Sequence, residues 1–414
     1  MKILWLCNIM LPAIANTLGK EPSNIGGWLT GLCNDLSQDK SRELVVTFPN
    51  DEKIQGDTGT FRYYGFDKSD RQEQFEGILA KEQPDIIHIF GTEFKHTLEM
   101  VNACESLKLL DRVAVNIQGL IYYYGEYHYT AGLPSKVVNG YTFRDFVRQD
   151  NIRQQRLRFI ERGQDEINAI KKVKYVIGRT DWDKAGTKQI NPDVTYFFCN
   201  ETLRSSFYQY RWDIETCEKH SIFLSQGNYP IKGFHHMLAA MPAILRQYPD
   251  AKIYITGKNP LEISGKAKLK EDGYSRYIKQ LIINNQLQDH VVFLGSLNEQ
   301  QMCERYLKSH VFVSASSIEN SPNSVGEAMI LGVPTVTSDV GGVKNMLTHE
   351  EQGYIYQHDA PYMLAYYVCK LFANEVKCQA FSLSASKRAH QTHHQQKNLE
   401  TVIAIYDAIA KVSS

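Results

Sequence analysis

Short apolar runs alternate with amphipathic stretches along this chain, and the alternation runs through it twice. A strand buried on both faces reads as a continuous apolar run, and two parallel strands need a crossover of about a dozen residues or more, usually a helix. The pattern therefore predicts mainly parallel sheets covered by helices. In the first half, strands fit residues 2–7, 43–48, 60–64, 85–90, 112–117, 174–178 and 194–199, with helices at 26–37, 71–82, 95–108 and 181–189. One long helical stretch fits 141–172, with Phe143, Phe146, Val147, Leu157, Ile160, Ile167 and Ile170 as its apolar residues. The chain turns polar around Ser205–Lys219 and a second series begins. Its strands fit 221–225, 251–256, 290–294, 310–314 and 333–337, and its helices 233–247, 274–286, 298–307, 324–331 and 361–373.

A chain of 414 residues exceeds what one core usually supports. Two α/β domains follow, 1–204 and 205–394. The amphipathic stretch 395–411, with Leu399, Val402, Ile405, Tyr406 and Ile409, is expected to return as a helix 395–414 to the first domain. The first residues, MKILWLCNIMLPAIA, imitate a signal peptide, but Asn8 and Pro12 interrupt the apolar run, and it reads better as the first strand. No run of about 18 apolar residues occurs.

Lys+Arg and Asp+Glu both total 46, so the formal net charge is zero. Duplex binding demands a large positive footprint, so nucleic acid is not an expected partner. The eight cysteines are scattered, with no Cys-x-x-Cys pair and no histidine at zinc-ligand spacing. They suit reduced thiols in the cytoplasm better than a disulfide framework or a metal site. The histidine doublets 235–236 and 393–394 read as surface residues, because neighbours on a helix point about 100° apart.

The window 311–343, with FVSASSIENSPNSVGEAMILGVPTVTSDVGGV, carries the most chemistry. A strand runs into a loop and then into a helix beginning near Ser324. This sets backbone N–H groups and a helix dipole at the carboxyl edge of a parallel sheet, where α/β folds bind ligands and anions. Glu319 and Glu327 flank the loop. Carboxylates accept from sugar hydroxyls, while phosphates want N–H groups and cations. The mixture suits a nucleotide sugar.

The spacing of Glu319, Glu327-Ala328-Met329, Gly332-x-Pro334 and Asp339-Val340-Gly341-Gly342 resembles the retaining glycosyltransferases of family 4. Upstream, Lys232-Gly233, a strand ending in Gly257, and Val292-Phe293-Leu294-Gly295 match in order and context. Gly26-Gly27 resembles the family's glycine loop, and Pro84–His88 its strand ending in histidine. Three positions depart from the pattern. Gln226-Gly227-Asn228 stands where an arginine is usual, Phe90 replaces a second histidine, and Asn200–Arg204 replaces the usual junction motif. HIFGTEF and GRTDWDKA resemble bacterial surface-polysaccharide transferases.

The resemblance implies a GT-B architecture, two Rossmann-like domains facing a central cleft, and sugar transfer from a nucleoside-diphosphate donor to a glycan or lipid-linked acceptor. It implies net retention and no metal or other cofactor. Carried over, Lys232 holds the diphosphate with the Ser324 and Val325 N–H groups, Glu327 the ribose, and Glu319, Asn320 and Ser321 the donor sugar. Gly26, Gly27, Gly227 and Asn228 complete the donor side; Glu319 and Lys232 are the catalytic pair. His88, Glu93, and Tyr123, Glu126 and His128 of the aromatic segment IYYYGEYHY are acceptor-side candidates. The arginine-rich stretch 141–174 reads either as a solvated helix face or as a contact with an anionic membrane surface or lipid-pyrophosphate acceptor. Two other readings stay open, a nucleotide-sugar epimerase of the same fold and a non-catalytic scaffold.

Overall fold

The computed structural model describes residues 1–21 and 26–413. The chain divides into two compact units, one made of 1–122, 161–204 and 393–414, the other of 123–160 and 205–392. Segment 123–160, expected in the N-terminal domain, therefore packs with the second unit. Its sequence reads as helical from 141 onward, and helical periodicity does not say which sheet a helix covers.

Among the described residues the first unit holds eight strands: β1 (Lys2–Leu6), β2 (Glu43–Pro49), β3 (Ile54–Asp57), β4 (Arg62–Phe66), β5 (Ile86–Phe90), β6 (Val113–Asn116), β7 (Tyr175–Gly178) and β8 (Thr195–Phe198). Their order is β3-β4-β2-β1-β5-β6-β7-β8, and all pairs are parallel except β3 with β4. The apolar N-terminal run is thus an inner strand, paired on both sides. Helix Gln395–Ser413 adds Val402, Ile405, Tyr406 and Ile409 to the same core as Ile3, Trp5 and Phe90. Each such apolar side chain contributes about 1.5–3 kcal/mol on full burial.

The second unit has β9 (Glu218–Leu224), β10 (Lys252–Ile255), β11 (Val291–Phe293), β12 (Ser309–Ser314), β13 (Thr335–Ser338) and β14 (Tyr354–Tyr356). All are parallel, in the order β11-β10-β9-β12-β13-β14. Counted from its own first strand this is 3-2-1-4-5-6, the doubly wound order, with its switch point between β9 and β12.

The long helix expected over 141–172 is two helices, Phe143–Arg148 and Ile152–Lys172. Gln149 ends the first with φ 49°, a left-handed conformation that no side-chain periodicity reveals. Phe143, Phe146, Val147 and Leu157 consequently lie exposed instead of forming a core stripe. The histidine doublets also differ from expectation: His235, His236 and His393 are buried. All eight cysteines are buried thiols. Among the described residues no helix is long and apolar enough to cross a membrane.

Candidate functional site

The switch point of the second sheet is built by three loops that fasten one another. After β9 the chain passes Gly227 and Asn228 and makes a tight turn at Pro230–Lys232. Gly233 closes that turn at φ 67°; a Cβ there would sit 1.8 Å from the Ala315 carbonyl oxygen, so only glycine allows the β9 and β12 loops to touch. The Ser317 amide donates to the Ile231 carbonyl at 2.8 Å, and the Ser317 hydroxyl donates to the same oxygen at 3.2 Å. The loop after β13 completes the frame. Ser338 Oγ donates to the Ser316 carbonyl at 2.6 Å, and the Gly342 amide donates to the Glu319 carbonyl at 3.0 Å. Gly341 lies against that carbonyl so closely that a Cβ would approach it to 1.9 Å.

All this backbone order fixes one ion pair. Lys232 Nζ donates to Glu319 Oε1 at 2.6 Å, and Ser316 Oγ donates to the same oxygen at 2.7 Å. Burial disfavours the Lys232 ammonium, but the Glu319 carboxylate and Tyr229 outweigh it and hold its pKa above the ordinary lysine value. The ammonium has three donors and Glu319 takes one. Asn320 is buried and Ser321 partly exposed beside the pair. Helix Asn323–Leu331 then starts from Pro322. The Val325 amide, expected to face phosphate, donates to the Pro322 carbonyl at 3.0 Å in a tight i→i−3 turn at the helix start. Tyr306 Oη donates to the Ser324 carbonyl at 3.0 Å and so braces that first turn. Glu327 is buried one turn along.

A cavity of about 280 Å³ adjoins this frame, lined by Gly227, Asn228, Phe234, Thr256, Tyr274 and Phe293 among others. Gly227 packs against Ile255, where a Cβ would meet Cδ1 at 2.2 Å. Thr256, Tyr274 and Phe293 escaped the sequence reading. They come from separate βα units, and no local motif marks them.

At the switch point of the first sheet, between β1 and β5, Gly26 takes φ 79° and starts helix Gly27–Ser37. Gly27 lies under Arg204, whose Cγ a Cβ would meet at 2.5 Å. After β5 comes Glu93, whose Oε2 is buried without a hydrogen-bond partner among the described residues. Burial pushes its carboxyl up to about 7, against the pull of nearby amides, Arg179 and Arg162. Glu166, unforeseen from sequence, is fully buried and pushed up to about 8 by burial. The Thr92 hydroxyl (2.5 Å) and the Tyr122 and Ile121 amides work against this shift, and the Glu93 charge adds to it.

His88, an acceptor-side candidate, is closed off from solvent. It is buried in β5, and burial pushes its pKa down to about 3. Indole is only a donor, so Trp5 Nε1 donates to Tyr406 Oη at 3.0 Å, and Tyr406 Oη and His88 Nδ1 share a hydrogen bond of 2.6 Å. The histidine anchors the terminal helix.

The remaining candidates belong to the second unit. Tyr123 stacks on exposed Tyr127, with ring centroids 6.3 Å apart, and Glu126 and His128 lie in the π-helical turn Tyr124–His128. Arg156 donates to the Gly125 and Glu126 carbonyls at 2.8 and 2.9 Å. Burial, then His358, lowers the His128 pKa. The buried doublet holds the end of this segment. His235 Nε2 donates to the Ala131 carbonyl at 3.1 Å, and Gly132 presses on the His236 ring, where a Cβ would meet Cε1 at 2.3 Å. The structure thus places His88 and Glu93 in one unit and Tyr123, Glu126 and His128 in the other. Among the described residues no three His, Cys, Asp or Glu side chains converge as a metal site.

The second half of the chain and its fold have counterparts in known proteins. Residues 208–388 match the family model described as glycosyl transferases group 1. Spore coat protein SA of Bacillus subtilis (strain 168) is 25% identical over 180 residues, 43% of this chain and 46% of that protein. The chain spans about half the length of the curated relatives it matches. Sucrose-phosphate synthase from Thermosynechococcus elongatus superposes with a TM-score of 0.71 over 100% of both chains, at 14% identity. Anabaena Alr3699/HepE in complex with UDP-glucose gives 0.67 over 99% of this chain and 100% of that one, also at 14% identity. The fold is GT-B.

Proposed function

We propose that this chain is a glycosyltransferase that moves a hexosyl group from a nucleoside-diphosphate sugar to a glycan or lipid-linked acceptor. The observation that carries the reading is the Lys232–Glu319 pair, held at a sheet switch point between a helix start and a cavity of about 280 Å³. A preformed cation beside a helix N-terminus suits a diphosphate, and the adjoining cavity suits the nucleoside. The group 1 match over 208–388 covers the whole of this frame.

In this reading Lys232 turns its remaining donors to the diphosphate and offsets the charge that grows as the sugar leaves. Ser324 adds an amide at the helix start. Glu319, with Asn320 and Ser321, holds sugar hydroxyls near the anomeric carbon, and Glu327 accepts from the ribose. Transfer proceeds with net retention. The bond from anomeric carbon to diphosphate oxygen breaks, the acceptor oxygen bonds to that carbon on the same face, and its proton passes to the departing diphosphate. No protein nucleophile and no cofactor enters. Glu93, Tyr123, Glu126 and His128 remain the acceptor-side candidates. Surface-polysaccharide assembly at the inner face of the cell membrane fits such a donor and acceptor.

Titration calorimetry with UDP, GDP and ADP tests the donor site. One of them should bind wild type, and Glu327→Ala should weaken that binding by about 1.5–3 kcal/mol, the scale of a hydrogen bond to a charged group. If no nucleotide binds, or if the variant binds like wild type, the site is not a nucleotide site of this kind.

A further inference from the structure

Helix Phe143–Arg148 is turned inside out. Phe143, Phe146 and Val147 stand at i, i+3 and i+4 on one face and are 59, 65 and 64% exposed, while Asp145 on the opposite side is fully buried. The inversion is built in. Thr142 and Asp145 cap the helix reciprocally, and Arg144 donates to Asp145 at 2.9 Å, so the polar side is satisfied inward. Tyr141, just before, is also exposed. Such a face is the reverse of an ordinary surface helix and marks an interaction site.

The surroundings of this face are cationic. The turn Gly265–Lys270 packs against the helix, with Gly273 directly beneath Asp145, and brings exposed Leu269 together with Lys266, Lys268 and Lys270. Arg148 and Arg153 are exposed as well, and among the described residues none of these five cations has a carboxylate partner. The acids of the two segments are all engaged. Asp150 holds Arg144 and Arg158, Glu271 holds Arg276, and Asp272 caps the helix that begins at Gly273. The basic stripe expected along 141–174 is meanwhile largely consumed within the fold, since Arg156 binds carbonyls, Lys172 binds Glu105 and Lys174 binds Asp111. What remains is an exposed apolar face, with five exposed cations on the helix itself, on the helix that follows and on the turn packed against it.

We propose that this face docks the protein on an anionic phospholipid bilayer, the apolar side chains entering the headgroup–acyl boundary and the lysines and arginines pairing with lipid phosphates. Charge complementarity selects this occupant. A second copy would bring five like charges against five, and the apolar side chains gain from hydrocarbon what a bare phosphate backbone does not offer. The inference does not depend on the transfer reaction.

Co-sedimentation of the full chain with vesicles reads it directly. Wild type should pellet with phosphatidylcholine vesicles containing about 30 mol % phosphatidylglycerol, far less with phosphatidylcholine alone, and less again at about 0.5 M salt. The double substitution Phe143→Ser, Phe146→Ser should lower the partition about tenfold with the thermal transition unmoved, because both side chains are already exposed. Lys266→Gln, Lys268→Gln, Lys270→Gln should lower it several-fold and flatten the salt dependence. Equal partition of the double variant and wild type, or no binding to anionic vesicles, overturns the proposal. So does a wild-type dimer on sizing columns that the serine pair abolishes, or tighter retention by single-stranded nucleic acid than by vesicles.

Discussion

At the carboxyl edge of the second sheet Lys232 and Glu319 face each other as an ion pair at 2.6 Å. At the same edge of the first sheet Glu93 and Glu166 lie near enough for one charge to raise the other's pKa, and burial pushes them up to about 7 and about 8. Both edges use the same α/β geometry, but one stores a charge pair and the other stores protons. The difference is a difference in what each edge can receive. A cation already paired with a carboxylate is partly desolvated before an anionic ligand arrives, so its charge is available at lower cost than a bare solvated one. Buried acids near neutrality exchange hydrogen bonds with hydroxyl groups and repel no neutral ligand.

The largest expected break of this contrast is Lys232→Ala. It removes the cation and leaves Glu319 without its ion pair. Nucleotide affinity should fall, and sugar transfer should drop by on the order of 10²–10³-fold, measured as initial rates with the donor found by the nucleotide screen. Glu319→Gln sharpens the same point, since it frees the ammonium. Free nucleoside diphosphate should bind as well as to wild type or better, while transfer slows on the order of 100-fold. Loss of nucleotide affinity with unchanged turnover in Glu319→Gln would mean that the pocket is oriented the other way.

A smaller effect separates the two units energetically. Tyr406→Phe deletes the hydroxyl between Trp5 and His88 and leaves two buried ring nitrogens without it. Urea unfolding should show a loss of about 1–3 kcal/mol. Nucleotide affinity, a property of the second unit, should stay as it was; a change there would show that the terminal helix acts on the donor site.

The smallest expected effect is a slope. Glu166 has a folded pKa near 8, raised above the ordinary glutamate value, so between those values the folded chain keeps a proton that the unfolded chain has released. Its contribution to stability therefore falls as pH rises through that window. Glu166→Gln removes the titration at constant size. Between pH 6.5 and 7.5 wild type should lose on the order of 1 kcal/mol relative to the variant in paired urea titrations. Parallel curves would mean that Glu166 is ionised throughout. Taking the difference matters because buried His88, His96 and His393, with lowered pKa values, lose stability as pH falls below their ordinary value and mask the slope of wild type alone.

Much of the fold was legible because its signals are local. Inner strands such as Lys2–Leu6 and Ile86–Phe90 are continuous apolar runs, and the helices at 71–82 and 181–190 begin with caps that adjacent residues supply. Strands Ile54–Asp57 and Tyr354–Tyr356 escaped because they are short edge strands. Helix Glu375–Thr392 escaped because its buried face is partly Cys378, Ser382, Ala385 and Ala389, too small to read as an apolar stripe.

The site divides along the same line. Chain order alone set Glu319, the helix from Asn323 and the Gly341-Gly342 turn around one strand–helix–strand unit, so the sequence determined that a carboxylate and a helix start share one sheet edge. It could not determine who meets whom. Lys232 reaches Glu319 across 87 residues, and His88 reaches Tyr406 across 318. The same side chains could equally have met solvent. Only tertiary packing joined His88 to the terminal helix, made buried clamps of the 235–236 doublet, and turned the aromatic face of Phe143–Arg148 outward. Periodicity reports that a face is apolar, whereas burial depends on what the rest of the chain brings to cover it.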